Sequence, residues 1–184
     1  SPTTIAKSLN AEVPFIRPPD LADDFIGIVP VIRHAIDWYT QKKIELGFVC
    51  CLLPTAPFVS VEDIQNCFKA LLENEDFRFA FTATKYPYPI QRALFLNKEN
   101  KIYMREPENF NIRSQDLKEA YHDAGQIYLG RKSKWFEEKN IFEDSKAILL
   151  PKWRVQDIDT QEDWINAELM FNQINQLKQN KNKT

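Results

Sequence analysis

Glycine is scarce in this chain: four residues among 184. A protein that grips a nucleoside triphosphate usually does so with a glycine-containing loop at a helix N-terminus. No such loop is present, nor a P-loop or a dinucleotide fingerprint. A zinc-protease HExxH and a serine-hydrolase elbow are also missing. Cysteine is rarer still, with Cys50, Cys51 and Cys67 only. That odd number, without CxxC spacing, excludes a zinc site and a disulfide framework and fits a reducing compartment. Neither sign of charge dominates: 24 Lys and Arg face 26 Asp and Glu, a formal net charge of −2. A phosphate-neutralising surface for nucleic acid is therefore not expected. Long apolar runs are absent too; the longest, Gly47 to Leu53, has the length of a strand, not of a membrane span. Ser1 to Leu9 is polar and reads as helix rather than signal peptide, so the expected location is the cytoplasm.

What is present suits one soluble domain, expected over residues 1–178, with a polar basic tail over 179–184. Apolar residues at Val31, Ile32, Ala35, Ile36 and Tyr39 form a helical stripe. Gly47–Leu53 reads as a strand buried on both faces. Ser60 with Asp63 forms a capping box for a helix to about Asn74. Strands are predicted over Ala11–Ile16, Phe77–Thr84, Gln126–Leu129, Ala147–Leu150 and Val155–Ile158, and short helices over Gln115–Tyr121 and Lys132–Glu138. Ala93–Leu96 and Ile102–Met104 flank the polar turn Asn97–Lys101, a hairpin signal and a possible dimer insertion. Thr160, with Asp163 three residues on, caps a last helix to about Leu177. This alternation predicts an α/β sheet with helices on both faces, whose ligands would sit beyond the carboxyl ends of the strands.

Several polar groups fall in those loops. In a strand, Asp157 and Asp159 would share one face, and two adjacent carboxylates suit Mg²⁺. They also suit a strand end ahead of the Thr160 cap. Arg113 to Asp123 is dense in donors and acceptors, including Gln115 and His122; it reads as a polar substrate site or as an amphipathic surface helix. Arg17, held rigid by Pro18 and Pro19 after it, precedes Asp23 and Asp24; the guanidinium could meet a base or phosphate, or Asp24 could simply cap a helix. Tyr86 to Arg92 offers ring faces, Gln91 and the Arg92 cation, suited to a sugar acid or to plain packing on the hairpin.

Taken in order, the blocks Arg17-Pro18-x-x-Leu21-Ala22-Asp23-Asp24, Leu53-Pro54-Thr55-Ala56-Pro57-Phe58, Pro87-Tyr88-Pro89-Ile90-Gln91-Arg92, Arg113-Ser114-Gln115-Asp116-Leu117, Tyr121-His122-Asp123-Ala124-Gly125 and Gln156-Asp157-Ile158-Asp159-Thr160 resemble the acylneuraminate cytidylyltransferases. Within them the resemblance is to the pseudaminic acid branch, most specifically in the Arg113–Leu117, Tyr121–Gly125 and Gln156–Asp163 blocks. The resemblance implies a three-layer nucleotide-diphospho-sugar transferase-like fold with a dimerisation hairpin. It implies transfer of CMP from CTP to pseudaminic acid, a nonulosonic acid, with release of pyrophosphate. It further implies Mg²⁺, a bacterial cytoplasmic homodimer, and a product used to glycosylate flagellin, capsule or lipopolysaccharide. Residue by residue, Asp157 and Asp159 match the metal-binding aspartates, and Arg113 a catalytic position. Arg17 and Asp24 match the nucleotide side, and Thr55, Ala56, Gln91, Arg92, Gln115 and His122 the sugar side. Two departures accompany it. The family's first strand and its triphosphate loop have no counterpart here, so the chain is expected to start near the second family strand. Ile26 and Ile28 stand where relatives carry hydroxyl residues, and isoleucine donates no hydrogen bond. The other expectation compatible with these departures is a catalytically dead remnant of the fold, acting as a binding or structural module.

Overall fold

A computed structural model describes residues 2–23 and 25–181. The chain begins with a short helix, α1 (Pro2–Ser8), and an irregular segment that Phe15 pins to the next helix through the rings of His34 and Trp38, with centroids 5.0 and 5.6 Å away. That helix, α2 (Ile28–Gln41), starts from Gly27. Strand β1 (Phe48–Leu52) leads to α3 (Val61–Glu73), whose first turn carries the reciprocal Ser60–Asp63 capping box. Then come β2 (Phe79–Lys85), the hairpin β3 (Leu94–Leu96) and β4 (Ile102–Met104), β5 (Tyr121–Arg131), β6 (Lys146–Leu149) and α4 (Gln161–Lys181).

The main sheet is mixed, in the order β1-β5-β2-β6. β5 runs antiparallel to both neighbours, while β2 and β6 are parallel. Three strands therefore point one way, and their carboxyl ends open on one edge of the sheet. Strand alternation divides the apolar residues between two faces. On one, Ala80, Ile127 and Leu129 pack with Cys67 and Leu71 of α3. On the other, Phe79, Tyr128 and Trp135 pack with Ile36 of α2. The chain is thus α/β, with a helix seated on each face.

Several expected elements take another form. Ala11–Ile16 forms no strand and pairs with no strand among the described residues: it bends at Phe15, and Pro14 has no N–H to offer a ladder. Val155–Ile158 is not a strand either. Side chains engage the backbone there: Asp157 Oδ1 accepts from the N–H of Ile158, and Asp163 Oδ2 from that of Asp159. The predicted helices at 115–121 and 132–138 shrink to 3₁₀ turns at Ser114–Asp116 and Lys132–Phe136. The strand expected at 126–129 is longer, since β5 is the central strand and pairs on both sides. Helix α4 runs past Leu177 to Lys181. Among the described residues no helix is long and apolar enough to cross a membrane.

Candidate active site

Two groups of candidate residues lie along the carboxyl edge of β1, β2 and β6. The first surrounds the end of β1. The N–H of Leu53 donates to the carbonyl of Gln126 at 3.1 Å, and the N–H of Ala56 to that of Leu53 at 3.2 Å. This turn carries Thr55, half-buried, and Ala56, buried. Arg154 ties the neighbouring segment to it. Its guanidinium donates to the carbonyl of Phe58 and to Ser60 Oγ, both at 3.1 Å, and forms an ion pair with buried Asp63. Gln126 Nε2 donates to the Arg154 carbonyl at 2.8 Å from a fully buried side chain. The chain leaving Arg154 carries Asp157 and Asp159.

Those two carboxylates are exposed, with Ile158 between them turned inward to line a cavity of about 400 Å³ with Pro57, Phe58 and Trp164. The alternation expected of a strand survives without the strand. Asp157 Oδ1 accepts from the Ile158 N–H at 3.1 Å, while the Asp159 side chain has no hydrogen bond or ion pair among the described residues. No group of three or more His, Cys, Asp or Glu side chains converges to form a metal cage among the described residues. Two hard oxygen donors open to solvent suit Mg²⁺, which keeps several waters and takes its remaining ligands from substrate phosphates. Asp163 secures the turn that follows: Thr160 donates to it from Oγ1 and N–H at 2.7 and 2.9 Å, which lowers its pKa.

The second group lies at the end of β2. The N–H of Tyr86 donates to the carbonyl of Ala120 at 3.0 Å, joining the Tyr86–Pro89 loop to the approach to β5. His122 sets its ring edge against Tyr86, with centroids 4.7 Å apart, and its Nδ1 lies 2.8 Å from the carbonyl of Asp123. Gln91 donates to the Lys118 carbonyl at 2.9 Å. Arg92 donates to Ser114 Oγ at 3.3 Å and to the carbonyl of Ile112. These two side chains hold the 112–118 loop in place, and Gln115 stands exposed on it beside Tyr86 and Tyr88 along a cavity of about 400 Å³. Arg113 is exposed and pairs with Asp116 at 2.7 Å. Lys85 pairs with Glu119, which also accepts from the Tyr121 hydroxyl at 2.8 Å; both contacts lower the Glu119 pKa.

Arg17 is exposed and makes no hydrogen bond or ion pair with either group among the described residues. Asp24 lies outside the described residues. Asp123, at the end of the Arg113–Asp123 candidate stretch, lies at this edge, and two residues beside it were not singled out as site residues: Gly125 and Tyr128. The glycine within an otherwise strand-like run was the available signal, since such a glycine marks a bulge.

No family model matches the chain. Individual proteins do. A pseudaminic acid cytidylyltransferase of Campylobacter jejuni subsp. jejuni is 37% identical over 168 residues, spanning 91% of this chain and 72% of that protein. An N-acylneuraminate cytidylyltransferase of Escherichia coli is 26% identical over 161 residues, spanning 87% of this chain and 37% of its own. A protein named post-translational flagellin modification protein B, from Campylobacter coli, is 23% identical over 175 residues, 93% of this chain and 73% of its own.

Proposed function

The chain belongs to the pseudaminic acid cytidylyltransferases, and from that premise we infer that it transfers CMP from CTP to pseudaminic acid, releasing pyrophosphate, in the cytoplasm. The observation that carries this reading is the likeness to the Campylobacter jejuni enzyme, which extends over 91% of the chain. The 2-hydroxyl oxygen of the sugar attacks the α-phosphorus, the bond to pyrophosphate breaks, and the hydroxyl proton leaves to solvent. Positioning and charge neutralisation supply most of the rate in such displacements. Asp157 and Asp159 are the residues that would hold Mg²⁺. When bound, that ion neutralises phosphate charge and acidifies a coordinated hydroxyl. The Thr55–Ala56 turn and the loops carrying Gln91, Arg92, Gln115 and His122 would receive the sugar acid, with ring surface from Tyr86 and Tyr88. Arg113 would reach a phosphate by exchanging Asp116 for it. Arg17 would meet the nucleotide.

Pyrophosphate release from CTP, pseudaminic acid and Mg²⁺ tests this directly. Release is expected, together with a fall on the order of 100-fold or more in Asp159→Asn, the upper end of what groups supporting a metal centre contribute. A folded chain that releases no pyrophosphate would refute the activity and favour a binding module of the same fold. The hairpin is read as the homodimer surface of this enzyme.

A further inference from the structure

β5 leaves its ladder for a few residues at the site edge. Ala83 pairs with Asp123 and Phe81 with Tyr128, so Thr82 alone spans on β2 what Ala124–Ile127 span on β5. Such a bulge strips backbone groups of their ladder partners, and buried groups need others. Thr82 Oγ1 accepts from the N–H of Ile127 at 3.2 Å. Asp123 Oδ1 accepts from the N–H of Gly125 at 3.1 Å, and Asp123 Oδ2 accepts from the Tyr128 hydroxyl. Tyr128 is buried; burial, then the bond to Asp123, pushes its pKa well up, so the hydroxyl keeps its proton and stays a donor. Gly125 adopts φ +62, the left-handed region. A Cβ on it would stand 3.3 Å from Asp157 Oδ2. The outer oxygen of Asp157 therefore faces the side-chain-free side of the residue whose N–H Asp123 holds, at a place a Cβ would crowd.

We propose that Asp123 is a positioning residue for the Asp157 carboxylate. Tyr128 fixes Asp123, Asp123 fixes the Gly125 peptide, and Gly125 keeps open the space beside Asp157 Oδ2 that any side chain there would narrow. With its other oxygen on the Ile158 N–H, Asp157 has both ends located. Were the Gly125 N–H released, its peptide plane would turn, and the space open to Asp157 Oδ2 would change shape. Asp123 commits both oxygens to these two donors and is not itself counted as a ligand. The inference rests on reading Asp157 and Asp159 as the divalent-cation site.

The four glycines make the test simple, because [¹⁵N]glycine labelling gives four backbone amide signals, with Gly125 identified by its loss in Gly125→Ala. Mn²⁺ replaces Mg²⁺ as a paramagnetic probe, added with CTP, and free Mn²⁺ is followed by electron paramagnetic resonance. In the wild-type chain the Gly125 signal should broaden before those of Gly47 and Gly130. Asp123→Ala should weaken Mn²⁺ binding about tenfold, the lower end of outer-shell effects. It should also raise the Mg²⁺ concentration needed for half-maximal rate more than it lowers the maximal rate. Asp123→Asn, which keeps an acceptor for the Gly125 N–H, should restore binding to within a few-fold. If the wild type binds Mn²⁺ and broadens Gly125 but Asp123→Ala binds it equally, positioning is refuted while the cation site stands. If Asn loses as much as Ala, the charge and not the acceptor matters, and positioning is again refuted. A wild type that binds no Mn²⁺ sinks both. Should Asp123→Ala not fold, Tyr128→Phe takes its place, with several-fold weaker Mn²⁺ binding expected and unchanged binding overturning the proposal.

Discussion

At the scale of single residues, packing around Gly130 is the most demanding. A Cβ there would come 2.5 Å from the ring of Phe79 and 3.2 Å from Trp135 Nε1, and both side chains are 1% exposed. Neither ring has room to yield, so Gly130→Ala should cost about 1–3 kcal/mol or more, read as a lowered urea midpoint with an unchanged slope. The cysteines make a contrasting case. Burial pushes Cys51 up to about 11 and Cys67 up to about 12, so at neutral pH both stay as unreactive thiols. Cys50 is exposed and only its direction is upward. A maleimide reagent should modify Cys50 first and reach Cys67 only on unfolding; mass spectrometry of a timed quench decides this.

The elements that matter for chemistry are held by their ends. Asp163 accepts from Thr160 and from the Asp159 backbone at the start of α4, and its pKa is lowered below the ordinary 3.8, chiefly by Thr160. A depressed carboxyl stabilises the fold fully above its ordinary value and loses that contribution as pH falls through the lowered one. Asp163→Asn should therefore destabilise at neutral pH and flatten the acid limb of a stability-against-pH curve. Arg154 matters more. Removing it leaves Asp63, whose side chain is 4% exposed, as a buried charge, so Arg154→Ala should cost about 3–5 kcal/mol in denaturant unfolding. The caps at Ser60 and Thr160 were legible in the sequence because a cap is local chemistry between residues three apart. The Arg154–Asp63 tie was not, since its partners lie 91 residues apart. Likewise Asp157 and Asp159 were found from spacing, but the strand assigned to them was wrong because neighbouring carboxylates take the backbone N–H groups a ladder needs. Gln91 and Arg92 were expected at the sugar, and what the structure shows is both side chains bracing the 112–118 loop.

At the scale of the whole molecule, the direction of the strands was only partly readable. Alternating helices and strands implied a common carboxyl edge, which exists, but nothing local announces that β5 runs the other way. The hairpin poses a separate demand. Leu94, Leu96 and Ile102 are 59–63% exposed, Phe95 and Tyr103 on the other face are also open, and a two-stranded hairpin is marginal alone. Sedimentation at micromolar concentration should show a dimer, and Leu96→Glu with Tyr103→Glu should shift it to monomer; a wild-type monomer would remove the hairpin from the interface. The reversed central strand also has a consequence in time. β1 and β2 never touch as partners; each waits for β5, and the segment β1 needs is made roughly 80 residues later. At a ribosomal pace of about 5–20 residues per second, the Phe48–Leu52 strand stays without its ladder for roughly 4–16 s. During synthesis this apolar strand is therefore a segment that a chaperone would have reason to cover.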